Sequence, residues 1–169
     1  MAIPRLLKQY ALFIDGEHYA GKADIELPTL TVVTEEYAAG GMSGKIKADM
    51  ALMEAMDVKF TLYEYIPDVL KFYGLANGQG VRLVARGAQQ SDDATQVIQV
   101  KLEVEGQWHE AGLGSWEAGS KVSMEGTVNA RDLILEIGGD RVIHINPEMM
   151  IREIGGEDQM AQLRGAIGI

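Results

Sequence analysis

Residues 39–46, Ala-Gly-Gly-Met-Ser-Gly-Lys-Ile, hold the glycines and the lysine from which a phosphate-cradling loop is built. Such a loop works because glycine amides close around the phosphates and a hydroxyl after the lysine holds Mg²⁺. Here its first glycine would have to stand at Ala39, and Ile46 follows Lys45, so both requirements fail. Ser43 is followed by Gly44-Lys45, which is not the spacing of a nucleophile elbow. His18, His109 and His144 are dispersed, and His109-Glu110 runs into Ala111-Gly112-Leu113 without the second histidine of a helical zinc site. Asp92-Asp93 has the oxygens for a cation, yet its polar neighbours at 88–91 read as a solvated hairpin tip. Cysteine is absent, which removes thiolate ligands, disulfides and a cysteine nucleophile. No catalytic, cofactor or metal site is read, and no enzyme is expected. Trp108 and Trp116 bracket a glycine-containing segment; as a small-molecule site they read more simply as rings capping the core, while a subunit contact stays open.

The composition narrows the field further. In 169 residues there are 15 Lys+Arg against 25 Asp+Glu, a net charge of −10. A domain that grips nucleic acid through its phosphates needs the opposite sign, and anionic lipid would be repelled as well. Apolar residues at 47% and charged ones at 24% are an ordinary globular balance, and the length favours one domain over 1–169. The apolar runs are far too short to span a membrane, and residues 1–5 carry no apolar signal segment.

Twenty glycines and four prolines punctuate short apolar stretches throughout, the rhythm of a mainly β chain. A strand is expected at 10–15, with Asp15-Gly16 turning it into 18–20. A longer extended run at 25–37 is divided at Pro28, and a glycine-rich loop at 38–44 leads to strands at 46–52 and 58–65. Pro67 and Asp68 suit the start of a short helix, Val69, Phe72 and Tyr73 share one face of it, and Gly74 ends it. Strands at 81–87 and 97–105 flank the polar tip at 88–93. In the second, Ile98, Val100, Leu102 and Val104 alternate with Gln99, Lys101, Glu103 and Glu105.

Residues 121–137 read as another long strand or strand pair. Val122, Met124, Gly126, Val128 and Ala130 share one face, and Lys121, Ser123, Glu125, Thr127 and Asn129 the other. The apolar phase then moves to Leu133, Leu135 and Ile137, so a β-bulge is expected near Arg131-Asp132. Gly138-Gly139-Asp140 turns the chain into 141–145. A C-terminal helix from about Glu157 would align Met160, Leu163 and Ile167. Strands that are polar on one side face water on that side, either an outer surface or the lumen of a protein ring. Periodicity alone also permits a monomeric, lipocalin-like β-barrel with an apolar ligand cavity.

Read end to end, the chain resembles the major tail tube protein of contractile-tailed bacteriophages and R-type bacteriocins. The resemblance rests on Pro4-Arg5, Leu12-Phe13-Ile14-Asp15-Gly16, Leu27-Pro28-Thr29-Leu30, Glu36-Tyr37 with Gly40-Gly41-Met42, and Asp49-Met50. It continues in Ile154 to Met160, Leu163-Arg164 and Ile167-Gly168-Ile169. It implies a structural subunit without catalytic residues or cofactor, of mainly β barrel or sandwich fold with a short central and a C-terminal helix. Hexameric rings would stack into a hollow tube inside a sheath, four strands per subunit joining a ring-wide barrel. Roughly twenty-four strands make a barrel about 48 Å across with a bore of about 40 Å, enough for duplex DNA of about 20 Å.

The partners so implied are further copies, the sheath, tail initiator or baseplate and terminator proteins, and a tape measure protein and DNA inside the lumen. No membrane anchoring is expected. The expected place is the virion tail, assembled in the host bacterial cytoplasm, and the cargo a genome or, in a bacteriocin-like tube, an effector or ions. On this reading Gly40, Gly41, Met42 and Gly44 form a ring-stacking loop, with Met42 as an adaptable apolar plug. The polar faces Gln99, Lys101, Glu103, Glu105 and Lys121, Ser123, Glu125, Thr127, Asn129 line the lumen, where net acidity keeps DNA from sticking.

Overall fold

Alternating apolar side chains build β1 (Leu6–Ile14), β2 (His18–Tyr19), β3 (Ala23–Glu26), β4 (Val32–Tyr37), β5 (Ile46–Met53) and β6 (Met56–Leu62). After the short helix α1 (Pro67–Leu70) come β7 (Val81–Gln90), β8 (Val97–Gly112), β9 (Met124–Ile137), β10 (Asp140–Asn146), β11 (Ile151–Ile154), β12 (Glu157–Asp158) and α2 (Ala161–Ile167). The computed structural model describes residues 4–16, 18–74, 80–93 and 95–169. Residues 1–3, part of the segment read as carrying no signal, lie outside the described residues. No helix among the described residues is long and apolar enough to cross a membrane.

The strands pair antiparallel in the order β3-β6-β9-β8-β7-β1, and the remaining seam brings β1 back beside β3. No ladder joins that seam. The Tyr10 hydroxyl bridges it instead, its one proton shared between the Ala23 carbonyl at 2.8 Å and the Asp24 carboxylate at 2.9 Å. The result is a small barrel with one core, in which Leu12, Ile14, Phe60, Leu83, Val104, Trp108 and Val128 are all buried. Trp108 lies edge-on to Phe60 and to Tyr73, with ring centroids 5.1 and 5.4 Å apart. An ideal Cβ at Gly126 would stand 2.3 Å from the Phe60 ring, so a glycine is what lets that ring lie flat on β9. These side chains fill the barrel interior, where a lipocalin-like barrel would keep an apolar cavity.

β9 carries the expected bulge. Ala130 pairs with Gly106 and Asp132 with Glu105, leaving Arg131 unpaired between them. The bulge also marks a change of neighbour, because β6 flanks β9 over Met124–Ala130 and β10 flanks it over Leu133–Ile137. The chain thus extends the barrel on one side into a wider sheet through β10, β11 and β12.

Several boundaries differ from the sequence reading: β1 starts earlier, at Leu6, β6 ends at Leu62, β7 runs on to Gln90 through the first residues of the expected polar tip, and α1 ends at Leu70, before Phe72 and Tyr73. Three further differences have a visible local cause. β8 continues past Glu105 to Gly112, because Gly106 is a site of close approach and not a stop: a Cβ there would lie 2.0 Å from the Asn129 carbonyl oxygen. β9 begins at Met124, so Lys121 and Ser123 are loop residues and not strand residues. Gly114, with φ of +74°, lies so close to the Ser123 carbonyl (2.1 Å to an ideal Cβ) that the loop folds back where a ladder would have continued. α2 begins at Ala161 and not near Glu157, since Glu157 and Asp158 pair with β11. The Asp158 carboxylate accepts from the Met160 amide at 3.0 Å, in the turn between this pairing and the helix.

Candidate assembly surfaces

The outward side of the wide sheet is a ladder of charges. Cross-strand register places Arg86, Lys101, Glu136 and Arg141 in one row, with Arg82, Glu105 and Asp132 four residues further along in another and Glu103 between them. Gln99, Lys101, Glu103 and Glu105 share this face, as alternation requires, opposite the buried Leu102 and Val104. Its cations are engaged. Lys101 pairs with Glu103 and with Glu136, Arg82 with Glu103 at 2.9 Å, and Arg141 with Glu153 at 2.8 Å. Arg86 lies over the Phe13 ring, 4.9 Å from its centroid. Partial burial of Glu103 works to raise its pKa, but hydrogen bonds from Lys101 and Arg82 outweigh it and hold the carboxyl below its ordinary range. His144 contacts Asp132 at 2.9 Å on the same face.

The second polar group is brought to a different place. Glu125, Thr127 and Asn129 lie on the half of β9 before the bulge, flanked by β6, with Asn129 donating to Asp57 at 3.0 Å. They follow Gln99–Glu105 along the same β8–β9 ribbon, but past its bend. Lys121 and Ser123 belong to the loop that closes the ribbon.

β4 and β5 pair only with each other and form a two-stranded arm outside the main sheet. An isolated two-stranded hairpin is at best marginally stable in water, and this one is pinned midway along β5. Arg152, on the core-facing side of β11, donates to Asp49 at 2.8 Å. The other Asp49 oxygen accepts from the Ala51 amide at 2.7 Å, where Ala51 takes a φ of +59° within an irregular stretch of the ladder. Two hydrogen bonds, the larger from Arg152, hold the Asp49 carboxyl below the usual range. Sequence spacing carries no sign of this latch, because 103 residues separate the partners.

Gly40, Gly41, Met42 and Gly44 sit at the arm's tip, every one exposed. Gly41 has a φ of +91°, and the Met42 amide closes the turn on the Ala39 carbonyl at 3.1 Å. The segment is strand–loop–strand, with no helix after it, so the phosphate-loop geometry is excluded as the residue types already indicated. Tyr37 and Ile46, directly opposite each other beside the loop, are 54% and 53% exposed. The sequence reading passed over these two; apolar residues closing both strands of a glycine-tipped hairpin were the available signal.

The other chemistry-bearing residues resolve plainly. Asp92 pairs with Lys8 of β1 at the β7–β8 tip, and among the described residues no His, Asp or Glu group could hold a metal ion. His18 leans on Phe72, and His109 is the extra residue in a second irregularity of the β8–β9 ladder. The tryptophans part company: Trp108 is core, whereas Trp116 is 84% exposed and so does not cap the core.

With these surfaces described, known proteins provide a frame. The family model for phage tail tube protein FII matches residues 4–168. The tail tube protein of Escherichia phage P2 is 28% identical over 172 aligned positions that cover all of both chains. The major tail tube protein of Serratia phage KSP20 is 42% identical over 53 residues, 31% of each chain. Two solved chains share the fold at low identity. One is from the extended sheath–tube complex of an extracellular contractile injection system, PVC, with a TM-score of 0.59 and 13% identity over 79% of this chain and 91% of that one. The other is from the sheath/tube terminator of the same system, with a TM-score of 0.58 and 12% identity over 79% and 96%. The chain belongs to the phage tail tube protein FII family.

Proposed function

We propose that the chain is the subunit of the inner tube of a contractile tail, closing as hexameric rings that stack into a conduit through the bacterial envelope. The observation that carries this reading is the wide sheet, apolar on its core side and, on the other, a row of charges whose cations are already engaged. A wall of that kind stays wet and offers passing phosphate cations that are already bound to carboxylates or, at Arg86, to a ring. Its role is structural, without catalysis or cofactor, in one domain of 169 residues.

Gln99, Lys101, Glu103 and Glu105 form the lumen wall in this proposal. Glu125, Thr127 and Asn129 carry it past the bend toward one rim, near Lys121 and Ser123 of the closing loop. The loop of Gly40, Gly41, Met42 and Gly44 makes the ring-to-ring contact. The partners are further copies, the sheath, the terminator and the initiator or baseplate, with tape measure protein and DNA inside the tube. The assembled protein resides in the virion tail after assembly in the host cytoplasm.

Sedimentation across a concentration series and negative-stain microscopy test the assembly: rings and hollow rods are expected, and a protein that stays monomeric even with its tail initiator rules it out. The wall is tested separately. The chain has no cysteine, so Gln99→Cys and Thr127→Cys each introduce a single thiol. In assembled tubes both should react with a small maleimide and resist a bulky PEG-maleimide; equal reaction with the bulky reagent would place these faces on the outside.

A further inference from the structure

The arm and the Trp116 loop stand at opposite ends of the barrel. β6 runs from Met56, paired with Ala130, to Leu62, paired with Met124. The arm joins it at the Met56 end, since β5 finishes at Met53. Tyr65, just past the Leu62 end, holds Trp116: the indole N–H donates to the Tyr65 hydroxyl at 3.1 Å, and that hydroxyl donates to the Leu113 carbonyl. Six strand steps separate the two ends, about 20 Å.

Each end exposes apolar surface in a form suited to a contact. At the arm it is Tyr37, Met42 and Ile46; at the loop it is Trp116 and Leu113, the latter 60% exposed. Trp116 is held by its hydrogen bond to Tyr65 while its face remains in water. An aromatic ring ordered before binding loses little freedom on binding, which is the property of a contact anchor. Beside it lies an open depression of about 430 Å³ lined by Tyr65, Ser115, Glu117, Ser120 and Val122.

The contact offered is apolar, because the arm's cations already have a carboxylate of their own: Lys45 is bonded to Glu36 at 3.0 Å, and Lys47 stands directly opposite Glu36. Two unlike patches at opposite ends make a head-to-tail contact, and such a contact repeated along an axis generates an open stack.

We propose that the arm tip of one copy docks on the Trp116 loop of a second copy in the adjoining ring, with Tyr37, Met42 and Ile46 against Trp116. This rests on the stacking reading above and supplies the receptor that reading lacks. Ser43→Cys and Ser115→Cys place one thiol at the tip and one at the loop of an otherwise cysteine-free chain. After treatment of assembled tubes with a short bis-maleimide, the double variant should give a ladder of multimers on a denaturing gel. The two single variants co-assembled should give dimers only, and each alone should stay monomeric. Tubes that yield no ladder, or a dimer from Ser43→Cys alone, overturn the contact and leave the stacking reading standing. A wild-type chain that forms no tubes removes the stacking reading, and the contact with it.

The unmodified protein gives a second measurement that does not depend on the variants. Trp108 is buried, so the fluorescence that acrylamide can quench belongs to Trp116. Its quenching constant should fall several-fold from subunit to tube; an unchanged constant in tubes overturns the proposal.

Discussion

The barrel and the arm are written in the same alternation of apolar and polar residues, with opposite results. In β6, Met56, Val58, Phe60 and Leu62 are all buried against Trp108, Met124 and Val128. In β4 and β5, Tyr37, Ile46, Met50 and Leu52 remain exposed, because no second layer of the same chain covers them. A strand's apolar face stabilises whatever it is buried against. In the barrel that is the subunit itself; in the arm it is free for another copy. Stability and assembly are therefore separable by mutation.

The largest expected effect lies in the barrel. Trp108→Ala removes a fully buried ring that contacts Phe60 and Tyr73, and should cost about 3–5 kcal/mol in chemical denaturation. A loss below 1 kcal/mol would mean that the core is not closed around it. Gly126→Ala sharpens the same point by overpacking: its new methyl meets the Phe60 ring, and about 1–3 kcal/mol of destabilisation is expected. Phe60→Leu in the same background should recover part of it.

Acid should act on the arm's attachment. The Arg152 hydrogen bond, then that of the Ala51 amide, lowers the folded pKa of Asp49 below the ordinary carboxylate range. This contribution is thus present above the unfolded pKa and lost as pH falls through the folded one. Asp24 at the β1–β3 seam, bonded by Tyr63 and Tyr10, and Asp158, bonded by Arg164, are shifted the same way. Hydrogen exchange below about pH 4 should show β5 amides losing protection while β8 and β9 keep theirs. Asp49→Asn should loosen the arm already at neutral pH, and uniform loss across the chain would contradict the division.

The smallest effect on stability is expected at the tip. Tyr37→Ala or Met42→Asp changes an exposed site, so the unfolding free energy should move by no more than about 0.5 kcal/mol, yet tubes should fail to form. A tip variant that unfolds the subunit would show that the arm belongs to the core after all. Normal tubes from Met42→Asp would remove the loop from the ring-to-ring contact.

Much of this was legible in one dimension because alternation is a local property. The phase change from Ala130 to Leu133 announced the bulge, and Asp15-Gly16 and Gly138-Gly139 announced turns whose residues all take positive φ. Pro67 marked the start of α1 as expected. Glycine was harder to read, because the residue type does not say which of its properties is in use. Gly106 looked like a strand end and is instead a contact between backbones, whereas Gly114 ends a pairing that the pattern at 121–123 suggested would continue.

The sequence by itself determined the β class, the apolar and polar sides of each strand, the absence of cysteine chemistry and the family. Only the tertiary structure decided which polar sides share a surface, that one tryptophan is core and the other is displayed, and that Arg152 holds an arm joined to β11 through a partner 103 residues away. The physical reason is that periodicity records whether a side chain faces apolar or polar surroundings. Which neighbour supplies those surroundings is settled by strand order, by bulges and by closure of the barrel, and these depend on pairings between distant parts of the chain.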